Sequence, residues 1–175
     1  FSNASMKTLQ EYFKRFPLSF VSCFHQRPAA LFEGVLQRLS IFIISKSSPQ
    51  KGCYTSNVYR WYTNNRNLLF FNIAYALYDQ SRQNNLLKIG TNTEISILNK
   101  YFSHKPISKK KKKGTNNRIF YRTAGGGYWV TILNKPFDSQ SLSNKSASFD
   151  YKYDARVFPS ILNSNLFWWI YSINY

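Results

Sequence analysis

The chain has 175 residues, with 24 Lys plus Arg against 7 Asp plus Glu and a formal net charge of +17. That length suits one ordinary domain or parts of two, and an 18% share of aromatics is far too high for a disordered basic tail. A surplus of positive charge speaks to partners and not to fold, and it selects polyanions, among which nucleic acid is the commonest.

Residues 4–16 read as a helix, because Met6, Leu9, Phe13 and Phe16 recur at helical spacing and Pro17 ends the run. Leu18 to Phe24 is a short β-prone strand. Leu39 to Ile44 is a second, buried strand candidate, with the Glu33-Gly34 turn ahead of it. Lys46 to Gly52 is polar and rich in breakers, which places a domain boundary there, with 1–46 as one region and 47–175 as the next. An Asn-rich, aromatic stretch follows, containing Tyr54, Tyr59, Trp61, Tyr62, Phe70 and Phe71. Thr91 or Asn92 caps a helix whose face is Ile95, Leu98, Tyr101 and Phe102.

Lys109, Lys110, Lys111, Lys112 and Lys113 are consecutive and bounded by Gly114, and five like charges in a row read as a mobile loop. Two β-prone runs, Arg118 to Thr123 and Tyr128 to Leu133, flank Gly125-Gly126-Gly127 and suggest a hairpin or bulged pair. The glycines lack the Gly-Lys-Ser/Thr of a phosphate loop; they serve a turn or a close backbone approach, by protein or by DNA. One final helix is expected within Asp154 to Ile173, entered near Pro159.

Cys23 and Cys53 lie far apart, without ligand spacing, and read as incidental thiols of a reduced cytoplasmic protein. No continuous apolar core of a secretory signal is visible, and the longest apolar run, Leu166 to Tyr171, falls far short of the ~20 residues of a membrane span. Neither a membrane nor a metal is expected as a partner. Acid/base catalysis needs paired carboxylates or a histidine near one. Here the acids are scattered, only Asp150 and Asp154 are four apart, and His25 and His104 stand alone. No Pro-Asp…(Asp/Glu)-x-Lys nuclease pattern is present.

The candidate DNA contacts are therefore basic and aromatic. Arg60, Arg118, Arg122, Lys135 and the run Lys109 to Lys113 would meet phosphates, as would Arg27 and Arg38 unless one of these pairs with Glu33. Tyr59 and Trp61, within Tyr54 to Tyr62, either stack on or read bases or serve the core.

The segment Phe24-His25-Gln26-Arg27-Pro28-Ala29-Ala30-Leu31-Phe32-Glu33-Gly34-Val35-Leu36-Gln37-Arg38-Leu39 resembles a signature of the adenine-specific DNA methyltransferases of type IIG restriction–modification and PglX-like phage-defence systems. In order along the chain, Tyr59-Arg60-Trp61, Lys88-Ile89-Gly90, Tyr121-Arg122-Thr123-Ala124-Gly125-Gly126 and Leu162 to Trp169 also resemble family landmarks. The resemblance implies an α/β fold class (α+β overall), with the tail of a methyltransferase-type sheet in 1–46 and part of a TaqI-like target-recognition domain in 47–175. It implies transfer of a methyl group from S-adenosyl-L-methionine to an adenine flipped from double-stranded DNA, with the remainder of the methyltransferase chain as a second partner. The family's Gly-rich cofactor loop and Asn/Asp-Pro-Pro-Tyr/Phe loop are not in this sequence, so no catalytic or cofactor-binding residue is assigned. Because the chain opens on Phe1 and first shows methionine at Met6, it reads as a fragment whose chemistry lies upstream. The alternative is a stand-alone single-stranded nucleic-acid binder.

Overall fold

Strand β1 (Leu18–Phe24) is the axis of the larger sheet in the computed structural model, which describes residues 6–79, 85–124 and 132–174. It pairs antiparallel with β2 (Leu39–Ser45) on one side and parallel with β3 (Gly52–Tyr59) on the other. β4 (Tyr75–Leu77) closes the order β2-β1-β3-β4 by pairing antiparallel with β3. β1 buries residues of both faces, with Val21 and Cys23 in one cluster of the core and Phe24, packed with Leu31, Trp61 and Leu69, in another. β2, a buried strand by its composition, is instead an edge strand, with Ile43 and Ile44 exposed. The β1–β3 register slips between Val21 and Cys23, where the Cys23 amide donates to Ser56 Oγ at 3.1 Å and so stays paired despite the slip.

Helix α1 (Lys7–Lys14) leaves Met6 and Leu9 exposed, although their spacing suggests the apolar face. The buried positions are Gln10, whose Oε1 accepts from the Leu86 amide at 2.8 Å, and part of Phe13, stacked on Phe42 at 4.3 Å. A buried acceptor with a partner costs little, which is why a polar residue can occupy this place. Helix α2 (Asn92–Phe102) has a reciprocal cap: Thr91 Oγ1 accepts from the Glu94 amide at 3.3 Å, and the Glu94 carboxylate accepts from the Gly90 and Thr91 amides at 3.0 Å. Gly90 fits closely, since a Cβ there would lie 3.0 Å from the Ala74 carbonyl oxygen and 3.1 Å from the Asn57 nitrogen.

The chain divides into two compact units, one of residues 1–101 with 172–175 and the other of residues 102–171. The boundary expected at 46/47 does not coincide with this division, because β3 completes the sheet that β1 and β2 begin. Mixed α+β structure holds throughout.

In the second unit β5 (Arg118–Arg122) lies between β6 (Ile132–Leu133) and β7 (Asn144–Ser148), all antiparallel. The expected β5–β6 pairing is present at Phe120–Leu133 and Tyr121–Ile132, whereas the triple glycine and Tyr128 to Thr131 lie outside the described residues. Phe149, Phe158, Leu162, Ile119 and Ile132 form the core. Two asparagines organise it. Asn117 donates from Nδ2 to the Tyr153 and Asp150 carbonyls at 2.6 and 3.1 Å and accepts from the Ala155 amide at 3.2 Å. Asn163 clamps Ile132 from both sides, accepting from its amide at 3.2 Å and donating to its carbonyl at 2.7 Å.

The single C-terminal helix expected from the sequence is two, α3 (Val157–Leu162) and α4 (Asn165–Asn174). Ser164 makes the break. Its hydroxyl donates to the Ile161 carbonyl at 2.6 Å and accepts from the Phe167 amide at 3.2 Å, ending one helix and capping the next.

Candidate nucleic-acid interface

Parallel strands end together, and residues just past their carboxyl ends share one rim of the sheet. Phe24, at the end of β1, pairs with Tyr59, at the end of β3, and with Leu39, at the start of β2. His25, Arg60 and Arg38 follow or precede these three positions and are therefore set side by side. Two hydrogen bonds fix the connection: the His25 amide donates to the Tyr59 carbonyl at 2.9 Å, and the Ala29 amide to the Trp61 carbonyl at 3.1 Å. Arg27 sits in the same turn, before a cis bond to Pro28, with its amide 3.1 Å from His25 Nδ1.

His25 is buried, with 4% of its surface exposed. Burial pushes its pKa below the usual 6.5, and Arg60, Arg38 and Arg27 push it further down, against a raising hydrogen bond with the Arg27 backbone. The strand register thus sets Arg38 and Arg60 beside His25, with Arg27 in the same turn, and none of the three arginines forms an ion pair among the described residues. Glu33 is exposed and forms no ion pair with Arg27 or Arg38, so the pairing weighed from the sequence is not made. Buried polar atoms without a hydrogen-bond partner gather here too: His25 Nε2, Gln26 Oε1 and Trp61 Nε1. Such atoms are rare in folded proteins and commonly await a ligand or water.

No protein-family model, curated protein or solved structure matches this chain.

Of the sequence-predicted contacts, Arg27, Arg38 and Arg60 are exposed on this rim. Tyr59 is half-buried there, its hydroxyl accepting from the Ala74 amide at 2.6 Å and donating to the Asn72 carbonyl at 3.2 Å. Trp61 is 5% exposed and packs with Phe24, Leu31 and Leu69; its ring belongs to the core and cannot meet a base face.

The remaining predicted residues lie in the second unit. The lysine run is not the mobile loop expected from its charge. Ile107–Lys110 forms a 3-10 turn, Lys111 bridges to Phe149, and the Lys112 amide donates to the Ser148 carbonyl at 3.0 Å. Backbone pairing is indifferent to side-chain charge, so the run is pinned to a sheet edge while Lys109, Lys111, Lys112 and Lys113 face solvent. Lys112 lies 3.6 Å from the Asp150 carboxylate, an exposed pair that salt would screen. Arg118 is exposed and donates from Nε to the Thr115 carbonyl at 3.0 Å. Arg122 donates to Asn144 Oδ1 at 3.0 Å and to Ser139 Oγ, with its guanidinium 4.4 Å above the Phe137 ring, so much of its hydrogen-bonding capacity is already used. Lys135 is exposed in the loop after β6.

Sequence reasoning missed His25 and Gln26, whose placement depends on the parallel pairing of Phe24 with the distant Tyr59, which no local pattern encodes. It also missed Lys88. A cavity of about 60 Å³ opens between β1, β2 and residues 86–88, lined by Val21, Cys23, Arg38, Ser40 and Lys88 among others. Burial pushes the Lys88 amine down to about 8, Cys23 opposes this and Arg38 adds to it. Its Nζ donates to the Ser172 carbonyl at 3.0 Å, and it has no ion pair among the described residues. Among those residues there is also no group of three His, Cys, Asp or Glu side chains placed to hold a metal, and no helix long and apolar enough to cross a membrane.

Proposed function

We propose that this chain is the DNA-docking piece of a site-specific adenine methyltransferase of a restriction–modification or phage-defence system. The observation that carries the docking role is the placement of three exposed arginines, Arg27, Arg38 and Arg60, beside His25 at the carboxyl end of a parallel strand pair, none of them in an ion pair among the described residues. Like charges gathered without counter-charge repel one another, and a phosphate set among them relieves that repulsion. The net charge of +17 and the sequence resemblance support the same reading. S-adenosyl-L-methionine would supply the methyl group in the whole enzyme, held by segments outside this sequence.

Fluorescence anisotropy with a labelled duplex across a salt series tests the docking. Three arginine–phosphate contacts give a log–log slope of about −2.7, and Arg60→Ala makes it shallower by about 1. Binding that ignores salt, or none at all, would sink the proposal. The competing single-strand reading draws on exposed rings at Tyr62, Phe70 and Phe71, and preference for a single strand over the matched duplex would favour it.

A further inference from the structure

Beside the arginine rim, residues 59–74 form a closed loop. The Tyr59 hydroxyl ties its far end to its beginning through the Asn72 carbonyl and the Ala74 amide, at 3.2 and 2.6 Å. Inside it, Thr63–Leu68 and Phe70–Asn72 are 3-10 turns, and the Arg66 guanidinium is fixed to the Leu31 carbonyl at 2.6 Å. Compact loops of this kind, with joined ends and internal packing, frequently carry function.

Its composition is unusual in what it exposes. Leu69 and Trp61 go inward, yet Phe71 is 86% exposed and Tyr62 67%. Hiding a ring of this size is worth ~1.5–3 kcal/mol, so an ordered turn that holds two of them in water forgoes a large gain. Between the rings stand Asn64, Asn65, Arg66 and Asn67, all exposed, and the loop contains no acidic residue. A purely apolar partner would leave those amides unpaired and the arginines unscreened. A nucleobase suits all three features: its faces stack on rings, its edges hydrogen-bond to amides, and the phosphate it carries pairs with arginine.

We infer that the loop from Tyr59 to Ala74 is a nucleobase-binding site, stacking an unpaired base on Tyr62 and Phe71 while Arg60 meets the adjoining phosphate. This rests on the DNA-docking reading and assigns residues to it that the arginine rim does not include.

The test uses the full chain and two oligonucleotide duplexes, one fully paired and one with a single bulged 2-aminopurine. The wild type is expected to prefer the bulged duplex and to change the 2-aminopurine emission. Phe71→Ala and Tyr62→Ala should each weaken bulge binding by roughly 5- to 150-fold, the equivalent of one lost stacking contact. Their affinity for the paired duplex and their salt slope should stay at wild-type values. Both rings are exposed, so thermal melts of the variants should match the wild type. Salt-dependent binding of the paired duplex without preference for the bulge would overturn this inference and leave the docking reading intact. Failure to bind either duplex would overturn both. Dimers that Phe71→Ala converts to monomers would assign the loop to self-association and also overturn it.

Discussion

Lys88→Met should make the protein more stable at neutral pH, although it removes a hydrogen bond. The amine is held down to about 8 from the usual 10.5, chiefly by burial. Above 10.5 it is neutral whether folded or unfolded and costs nothing. As pH falls from 10.5 to 8 the unfolded chain takes up the proton first, and stability is lost across that window. Below 8 the loss is complete, at about 3 kcal/mol for a shift of this size. Partial exposure of the amine reduces that figure, and removing the donor to the Ser172 carbonyl gives back about 1 kcal/mol, leaving a net gain of about 1–2 kcal/mol. Methionine keeps the length and apolar stem of the side chain. Urea unfolding of wild type and variant at about pH 7 and about pH 10.5 provides the measurement. The variant should be the more stable at neutral pH, with the advantage gone or slightly reversed in the alkaline sample. An equal destabilisation at both pH values would refute the argument, because it would mean that the amine is not penalised by its surroundings.

His25 gives a second pH dependence. Its folded pKa lies below 6.5, so stability is fully present above 6.5 and declines as pH falls toward the folded value. Duplex DNA, by neutralising the arginines, should raise that pKa; an NMR titration of the His25 ring that shows 6.5 or more in the free protein would contradict the packing described. Gly90→Ala should cost about 1–3 kcal/mol in a chemical melt, since its Cβ would press on two backbone atoms that have no freedom to rotate away. Asn117→Ala removes three hydrogen bonds from one side chain and should cost about 3 kcal/mol in the second unit; a change below about 0.5 kcal/mol would show that the 150–155 turn does not depend on it.

Local features are readable where local physics decides. Leu18 to Phe24 is legible as a strand from β-prone residues after a proline, and Thr91-Asn92-Thr93-Glu94 carries its cap in its own spacing. The sequence misleads where a distant partner decides. Met6 and Leu9 have the spacing of a buried face, but Gln10 is the residue the Leu86 amide needs. Ile43 and Ile44 look like core, but burial of a strand's side chains depends on what packs over the faces of its sheet, and both are exposed. Charge repulsion among five lysines argues for a loose loop, and the backbone partners that prevent it, Ser148 and Phe149, lie far along the chain. The arginines of the candidate site are visible one by one. Their meeting is not, because it depends on which edge of β1 receives β3.

The carboxyl-terminal stretch has a consequence for the order in which the protein is made. Lys88 donates its backbone amide to the Ile173 carbonyl at 3.0 Å and its ammonium to Ser172, residues that belong to the first unit although the whole second unit separates them. During synthesis at about 5–20 residues per second, Ile173 follows Lys88 by about 4–17 s. Both units can assemble their sheets from contiguous chain, the first by Leu77, but the contacts that anchor Lys88 close only after the whole second unit has been synthesised.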